Sequence, residues 1–225
     1  MSIGDAEIKT QERVIRFFKD PEILGYQYLG NLSDYQNKNI KEDRLRQYLR
    51  LKGYADKLID AAVMQLQQEA GNLSRGVYDT NKTVYSRLKY GIPISESPEK
   101  PPVTVQLIDE ANPLNNDFAI AEEVKVVEQS EKRPDLVVYL NGIAVAVIEL
   151  KRSSIFVSEG IRQNLTNQKN SFIQGFFTTM QFCMAGNESE GLRYGTLLTG
   201  EKFYMEWKDD GFKEHEEERD PVDVR

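Results

Sequence analysis

Cysteine and histidine are almost missing from this 225-residue chain: Cys183 and His215 are the single instances of each. A lone cysteine excludes an intrachain disulfide and suits a reducing compartment, so a cytoplasmic location is expected. One histidine leaves too little to build a Ser-His or Cys-His catalytic pair or a His-rich zinc site. No apolar run reaches membrane-spanning length and the N-terminus has no signal-peptide pattern, so no membrane association is expected. A GxxxxGK[ST] phosphate loop is absent, and so is any internal repeat. Positive charge is in short supply, with 29 Lys and Arg against 36 Asp and Glu, a net charge of −7. Residues 213–225 hold six of the acids and three of the bases, yet residues 1–212 still carry a net −4. That balance argues against a strong autonomous grip on nucleic acid and implies help from other domains or partners.

What is present is an apolar share of 40%. That is enough for the core of one large α/β domain, or of a domain with a helical extension. Apolar spacing predicts an amphipathic helix over 5–18 and a short strand or hairpin arm over 23–30. Helices follow at 39–52, stopped by Gly53, and at 55–70 and 74–90, the last ending near Gly91 and Pro93. Residues 95–102, SESPEKPP, read as a loop. Beyond it the pattern turns to strands at 103–108, 118–128, 135–140 and 143–151. Helices are expected at 158–170 and 172–185, where the apolar run 171–182 reads as a buried helix, and strands at 193–199 and 202–208. The class expected is α/β (α+β): a mixed central sheet flanked by helices, preceded by a helical segment.

The most informative stretch is EKRPDLVVYLNGIAVAVIELKRS, residues 131–153. Two β-branched runs, 136–140 and 143–150, flank Asn141-Gly142, a strong hairpin signal. Asp135 opens the first strand, and Glu149 and Lys151 close the second. Residues two apart on a strand share a face, so Glu149 and Lys151 project together. Charges beside a core are costly unless paired or bound to a metal, and two carboxylates with a lysine suit a divalent cation. A strict two-residue turn would pair Asp135 with Ile148 and turn it away from Glu149. A three-residue loop, Leu140-Asn141-Gly142, with Gly142 in the left-handed region, would pair Asp135 with Val147 and put all three on one face. One shared site therefore predicts that loop, or a bulge elsewhere in the hairpin that restores the parity.

Pro134-Asp135 followed by Glu149-Leu150-Lys151 resembles the PD-(D/E)xK nuclease motif, and RPDLVVYLNGIAVAVIELK resembles the N-terminal nuclease segment of type I restriction enzyme R subunits (HsdR). EGIRQ at 159–163, LRYGTLLTGEKFYMEW at 192–207 and KEDRLRQYLRLKGY at 41–54 extend the likeness over most of residues 38–208. It implies a restriction-endonuclease-like fold and a type I site-specific deoxyribonuclease activity: magnesium-dependent hydrolysis of DNA phosphodiester bonds, with manganese able to substitute. It also implies partners: double-stranded DNA, and the methyltransferase and specificity subunits of a restriction complex. ATP would serve only a motor domain, which nothing in this chain resembles. The implied organisation is an N-terminal extension over 1–38, a nuclease domain over 39–210 (helical part 39–94, sheet core 103–210), and an acidic tail or linker over 211–225.

By this resemblance Asp135, Glu149 and the Leu150 carbonyl are the metal ligands, and Lys151 acts on the attacking water. The plain alternative is a surface Glu-Lys pair with an unrelated aspartate. Glu42 is a further metal candidate, against the alternative of a solvated glutamate paired with Arg46 one turn on. Gln163 is a further catalytic candidate at the glutamine of a Gln-x-x-x-Tyr motif, although Asn167 stands where the tyrosine is expected. Arg133, Arg152 and Lys169 are candidate phosphate contacts or ordinary surface charges. Phe203, Tyr204 and Trp207 are candidates for base stacking or for core. Two other readings remain: a recombination or repair nuclease of the same fold, and a non-catalytic module that holds DNA or assembles a complex.

Overall fold

The computed structural model describes residues 3–95, 99 and 101–208, with side chains from residue 8 onward. Among the described residues there are five α-helices: α1 (Ile3–Lys19), α2 (Glu42–Leu51), α3 (Asp56–Gly71), α4 (Val77–Tyr90) and α5 (Val157–Asn167). The strands are β1 (Gln27–Asn31), β2 (Ile92–Ile94), β3 (Val103–Val105), β4 (Phe118–Glu122), β5 (Val126–Val127), β6 (Glu131–Lys132), β7 (Leu136–Leu140), β8 (Ile143–Leu150), β9 (Phe182–Asn187), β10 (Gly191–Gly195) and β11 (Met205–Glu206). Seven of them form one mixed sheet in the order β1-β4-β7-β8-β9-β10-β11. The pairs β1–β4 and β8–β9 are parallel, and the other neighbours are antiparallel. This is the expected class, a mixed sheet with helices on its faces. No helix among the described residues is long and apolar enough to cross a membrane.

Alternation along β7 and β8 divides the core between two faces. On one, Val137, Tyr139, Ala144 and Val147 pack with Ile173, Phe176 and Phe177 of the segment that follows α5. On the other, Leu136, Val138, Ala146, Ile148 and Leu150 pack with Ile15 of α1. Helices α2, α3 and α4 make a third layer with β2, β3 and Ile143. Residues 1–38 were expected as an extension, but α1 and β1 are integral to the sheet domain: α1 covers one face and β1 is its edge strand.

Several expected elements differ, among them the strand expected over 202–208, which is a 3-10 turn at Glu201–Phe203 followed by the two-residue β11. Residues 172–185 are not a helix: a 3-10 turn at Gln174–Thr179 leads into β9, whose Cys183, Met184 and Ala185 sit in parallel register with Val147, Ile148 and Glu149. A short apolar run has the composition of either a buried helix or a central strand, and pairing decides between them. The strand expected over 118–128 breaks at Glu123, whose φ is 50°. The strand expected over 103–108 is shorter, and it pairs with β2 in a separate two-stranded sheet. The tail 211–225 lies outside the described residues.

Candidate active site

The β7–β8 hairpin settles the parity question with a bulge. Its turn has two residues: Asn141 at φ 52° and Gly142 at φ 81°, both left-handed as a type I′ turn requires. Leu140 therefore faces Ile143 and Tyr139 faces Ala144. Val138 then faces Ala146, so Val145 is an extra residue on β8 and the register shifts there. The backbone groups freed at the bulge are taken up locally. Asn39 O accepts from Ala144 N at 2.8 Å, Ala144 O accepts from Thr179 Oγ1 at 2.6 Å, and Val145 O accepts from Gln181 N at 2.7 Å. The three-residue loop does not form. Beyond the bulge Leu136 faces Ile148, so the continuing register sets Asp135 against Glu149 on one face.

Asp135 and Glu149 meet at this end of the sheet. Asp135 Oδ2 accepts from the Leu150 backbone N at 2.6 Å. Glu149 is fully buried. Its Oε2 accepts from Gln163 Nε2 at 2.6 Å, while its Oε1 is buried with no hydrogen-bond partner. Burial pushes the Glu149 carboxyl well above the usual carboxylate range; the negative charge of Asp135 adds to the rise, and Lys151 opposes it. Lys151 is half-buried, and its Nζ donates to the Leu150 carbonyl at 3.1 Å. A buried carboxylate oxygen with no donor, facing a second carboxylate beside a backbone carbonyl, is a set of hard oxygen atoms that fits a divalent cation. Among the described residues no group of three or more His, Cys, Asp or Glu side chains is arranged to hold a metal ion. The candidate donors are therefore two carboxylates and a carbonyl.

Helix α5 brings Gln163 to Glu149 because Gly160, one turn earlier, lets the helix approach the sheet. A Cβ on Gly160 would stand 3.0 Å from Ala185 Cβ and 3.5 Å from Glu149 Cβ. Val157 and Ile161 of the same helix pack on Ala185, and Asn164 Nδ2 donates to Met184 O at 2.8 Å. Asn167, in the expected tyrosine's place, is buried in the same helix.

Glu42 is not brought to this site. It begins α2, which seats on the turn end of the hairpin, where Lys41 N donates to Gly142 O at 2.7 Å. Glu42 pairs instead with Arg46 at 2.7 Å and accepts from Gln67 at 2.9 Å. Seven residues of strand at about 3.3 Å each separate that end from Glu149. The i,i+4 pairing named above as its alternative is what forms. Arg133 is exposed and paired with Glu131 at 2.7 Å, Arg152 is half-buried, and Lys169 is exposed. Tyr204 packs into the core, whereas Phe203 and Trp207 are exposed.

One neighbour was not foreseen. Glu123 follows β4, and its N donates to Asp135 O at 2.9 Å. Burial and then the charge of Asp135 push its carboxyl upward, while polar Gln11 of α1 and the charge of Arg133 oppose the rise. Proximity across β4 and β7 is set by strand pairing, and no local pattern announces it.

A family model described as the type I restriction enzyme R protein N terminus matches residues 7–203. The type I restriction enzyme MjaIXP endonuclease subunit of Methanocaldococcus jannaschii is 33% identical over 97 residues, covering 40% of this chain and 9% of that protein. The chain thus corresponds to a small part of that relative's length. The family match spans most of the sheet domain, including α5 and the hairpin with Asp135, Glu149 and Lys151, and the chain belongs to the family of type I restriction enzyme R protein N termini.

Proposed function

We propose that this domain is the DNA-cleaving module of a type I restriction enzyme, hydrolysing phosphodiester bonds with magnesium, for which manganese can substitute. The observation that carries the reading is Glu149, a fully buried carboxylate with one oxygen unpartnered, set against Asp135 and beside Lys151. A buried charge left this way destabilises the fold, and a cation bound in function accounts for its retention. Asp135, Glu149 and the Leu150 carbonyl would hold the ion, which when bound stabilises charge on the scissile phosphate and activates the attacking water. Lys151 orients that water and offsets negative charge on the phosphate. Gln163 is a positioning residue: its amide fixes the Glu149 carboxylate through Oε2 and leaves Oε1 for the cation. Double-stranded DNA is the substrate. Sequence recognition and modification belong to the specificity and methyltransferase subunits, and ATP to a motor domain.

The test is plasmid linearisation by a restriction complex carrying Lys151→Ala in this domain, with ATP hydrolysis measured beside it. Linearisation is expected to fall by about 100-fold or more, in line with loss of a group acting on the nucleophile. ATP hydrolysis and the melting temperature are expected to stay at wild-type values. Undiminished linearisation in the variant would end the proposal and favour a module that only holds DNA.

A further inference from the structure

The chain commits an unusual backbone conformation to Glu123. Its φ of 50° lies in the left-handed region, where a residue with a Cβ and no glycine-like freedom is strained. Such strain costs about 1–3 kcal/mol and concentrates where function retains it. The backbone on either side is locked to β7: Glu123 N donates to Asp135 O at 2.9 Å, and Val124 N to Pro134 O at 3.1 Å. Glu123 is thereby held beside the residue that opens the cation site.

Its neighbour shows that this is not a general property of the acidic pair. Glu122 is fully engaged by the protein: Oε1 accepts from Tyr28 Oη at 2.5 Å and Oε2 from Gln11 Nε2 at 2.8 Å. Glu123 instead stands among acids, with Asp135 and Glu122 beside it and its charge felt by Glu149. Lys151, which acts on Glu149, and Arg133, which acts on Glu123, supply the opposing positive charge. A third acid near two others is unfavourable in the free protein. It becomes favourable when a divalent ion is bound by Asp135 and Glu149, whose buried Oε1 has no hydrogen-bond partner. Among the described residues no three acidic side chains are close enough together to ligate one ion, so Glu123 is not an inner ligand. Magnesium keeps several waters when it binds proteins, and an outer carboxylate is the group that receives them.

We propose that Glu123 is an outer carboxylate of the cation site, accepting hydrogen bonds from the hydration shell of the ion held by Asp135 and Glu149. This rests on the cation-dependent nuclease reading above. The site then spans the end of β4 as well as β7 and β8.

The test is calorimetric titration of the 225-residue chain with manganese alone, in the wild type and in Glu149→Gln, Glu123→Gln and Glu123→Gly. One ion is expected to bind the wild type and none Glu149→Gln. Glu123→Gln is expected to bind one ion about tenfold more weakly or worse, the range seen when outer-shell partners are lost. Its melting temperature without metal should not fall. Glu123→Gly relieves the left-handed backbone, so it should melt at or above the wild type while binding manganese as weakly as Glu123→Gln. That variant separates a metal role from a folding role. Affinity within twofold of wild type in both Glu123 variants would overturn the inference and leave the nuclease reading standing. No binding to the wild type would overturn both.

Discussion

The β7–β8 hairpin carries buried polar groups at both ends, and the protein treats them in opposite ways. At the turn, Asn141 is fully buried and fully engaged. Its Oδ1 accepts from Asp117 N at 2.7 Å, and its Nδ2 donates to Leu107 O and to Asn116 Oδ1, both at 2.8 Å. Asn116 in turn holds the backbone of Asp109 at 2.8 and 2.9 Å. Lys52 and Asn115 pull the Asp109 carboxyl down to about 2. At the far end Glu149 is equally buried but keeps an oxygen without a donor, and its carboxyl is pushed upward. Complete pairing marks the end that organises the fold, because buried hydrogen bonds made in full rigidify a turn. Incomplete pairing at the far end is what the cation of the proposed function would complete. Glu42 belongs to the first end, where it pairs with Arg46.

The comparison is most severely tested at the turn. Asn141→Ala strands the Asp117 N–H and the Leu107 carbonyl and places alanine at φ 52°, so it is expected to destabilise the domain by about 3 kcal/mol in urea unfolding. A change under about 1 kcal/mol would deny the turn its organising role. The far end should answer to metal instead. Manganese at a hundredfold excess over its dissociation constant should stabilise the wild type by about 2.7 kcal/mol. Asn141→Ala should gain as much, whereas Asp135→Ala should gain far less. Equal gains in all three would place the ion elsewhere, for instance at the acidic stretch 214–218.

A smaller effect of opposite sign is expected from Glu149→Gln without metal. The amide keeps the partner at Gln163 and presents a donor toward Asp135, so the variant should be more stable by about 1 kcal/mol. A loss of stability would mean that Glu149 is structural. The smallest effect is acid sensitivity at Asp109. Its folded pKa is depressed below the ordinary 3.8, so its contribution is present above that value and is lost as pH falls toward about 2. Asp109→Asn should flatten the acid side of the stability curve between those values and leave manganese binding unchanged. An unaltered curve would show that the Lys52 contact contributes nothing.

Legibility followed the range of the interactions. Asp135, Glu149 and Lys151 were readable because their spacing around Asn141-Gly142 is local, and the parity argument already demanded a loop or a bulge. The structure uses Val145 for that bulge, and the choice depends on Asn39, Thr179 and Gln181, residues distant in sequence. Gln163 was reached through family resemblance, not periodicity, since a helix glutamine has no signature of its own. Glu42 was misplaced because position within a helix says nothing about which end of a strand the helix meets. Glu123 has no local signature in an acid-rich chain, where its one distinguishing feature is conformational.

By itself the sequence determined the mixed α/β class, the order of the N-terminal helices, the hairpin, and the clustering of two acids and a lysine at one strand end. Those features follow from side-chain periodicity and turn chemistry, which act over a few residues. Only the tertiary structure decided that residues 182–187 are a strand beside β8, that α1 and β1 belong to the sheet domain, and that Glu123 lies beside Asp135 while Glu42 sits at the turn end of the hairpin. Each is an outcome of pairing or packing between segments far apart in the chain. There the free energy depends on partners that no local pattern names.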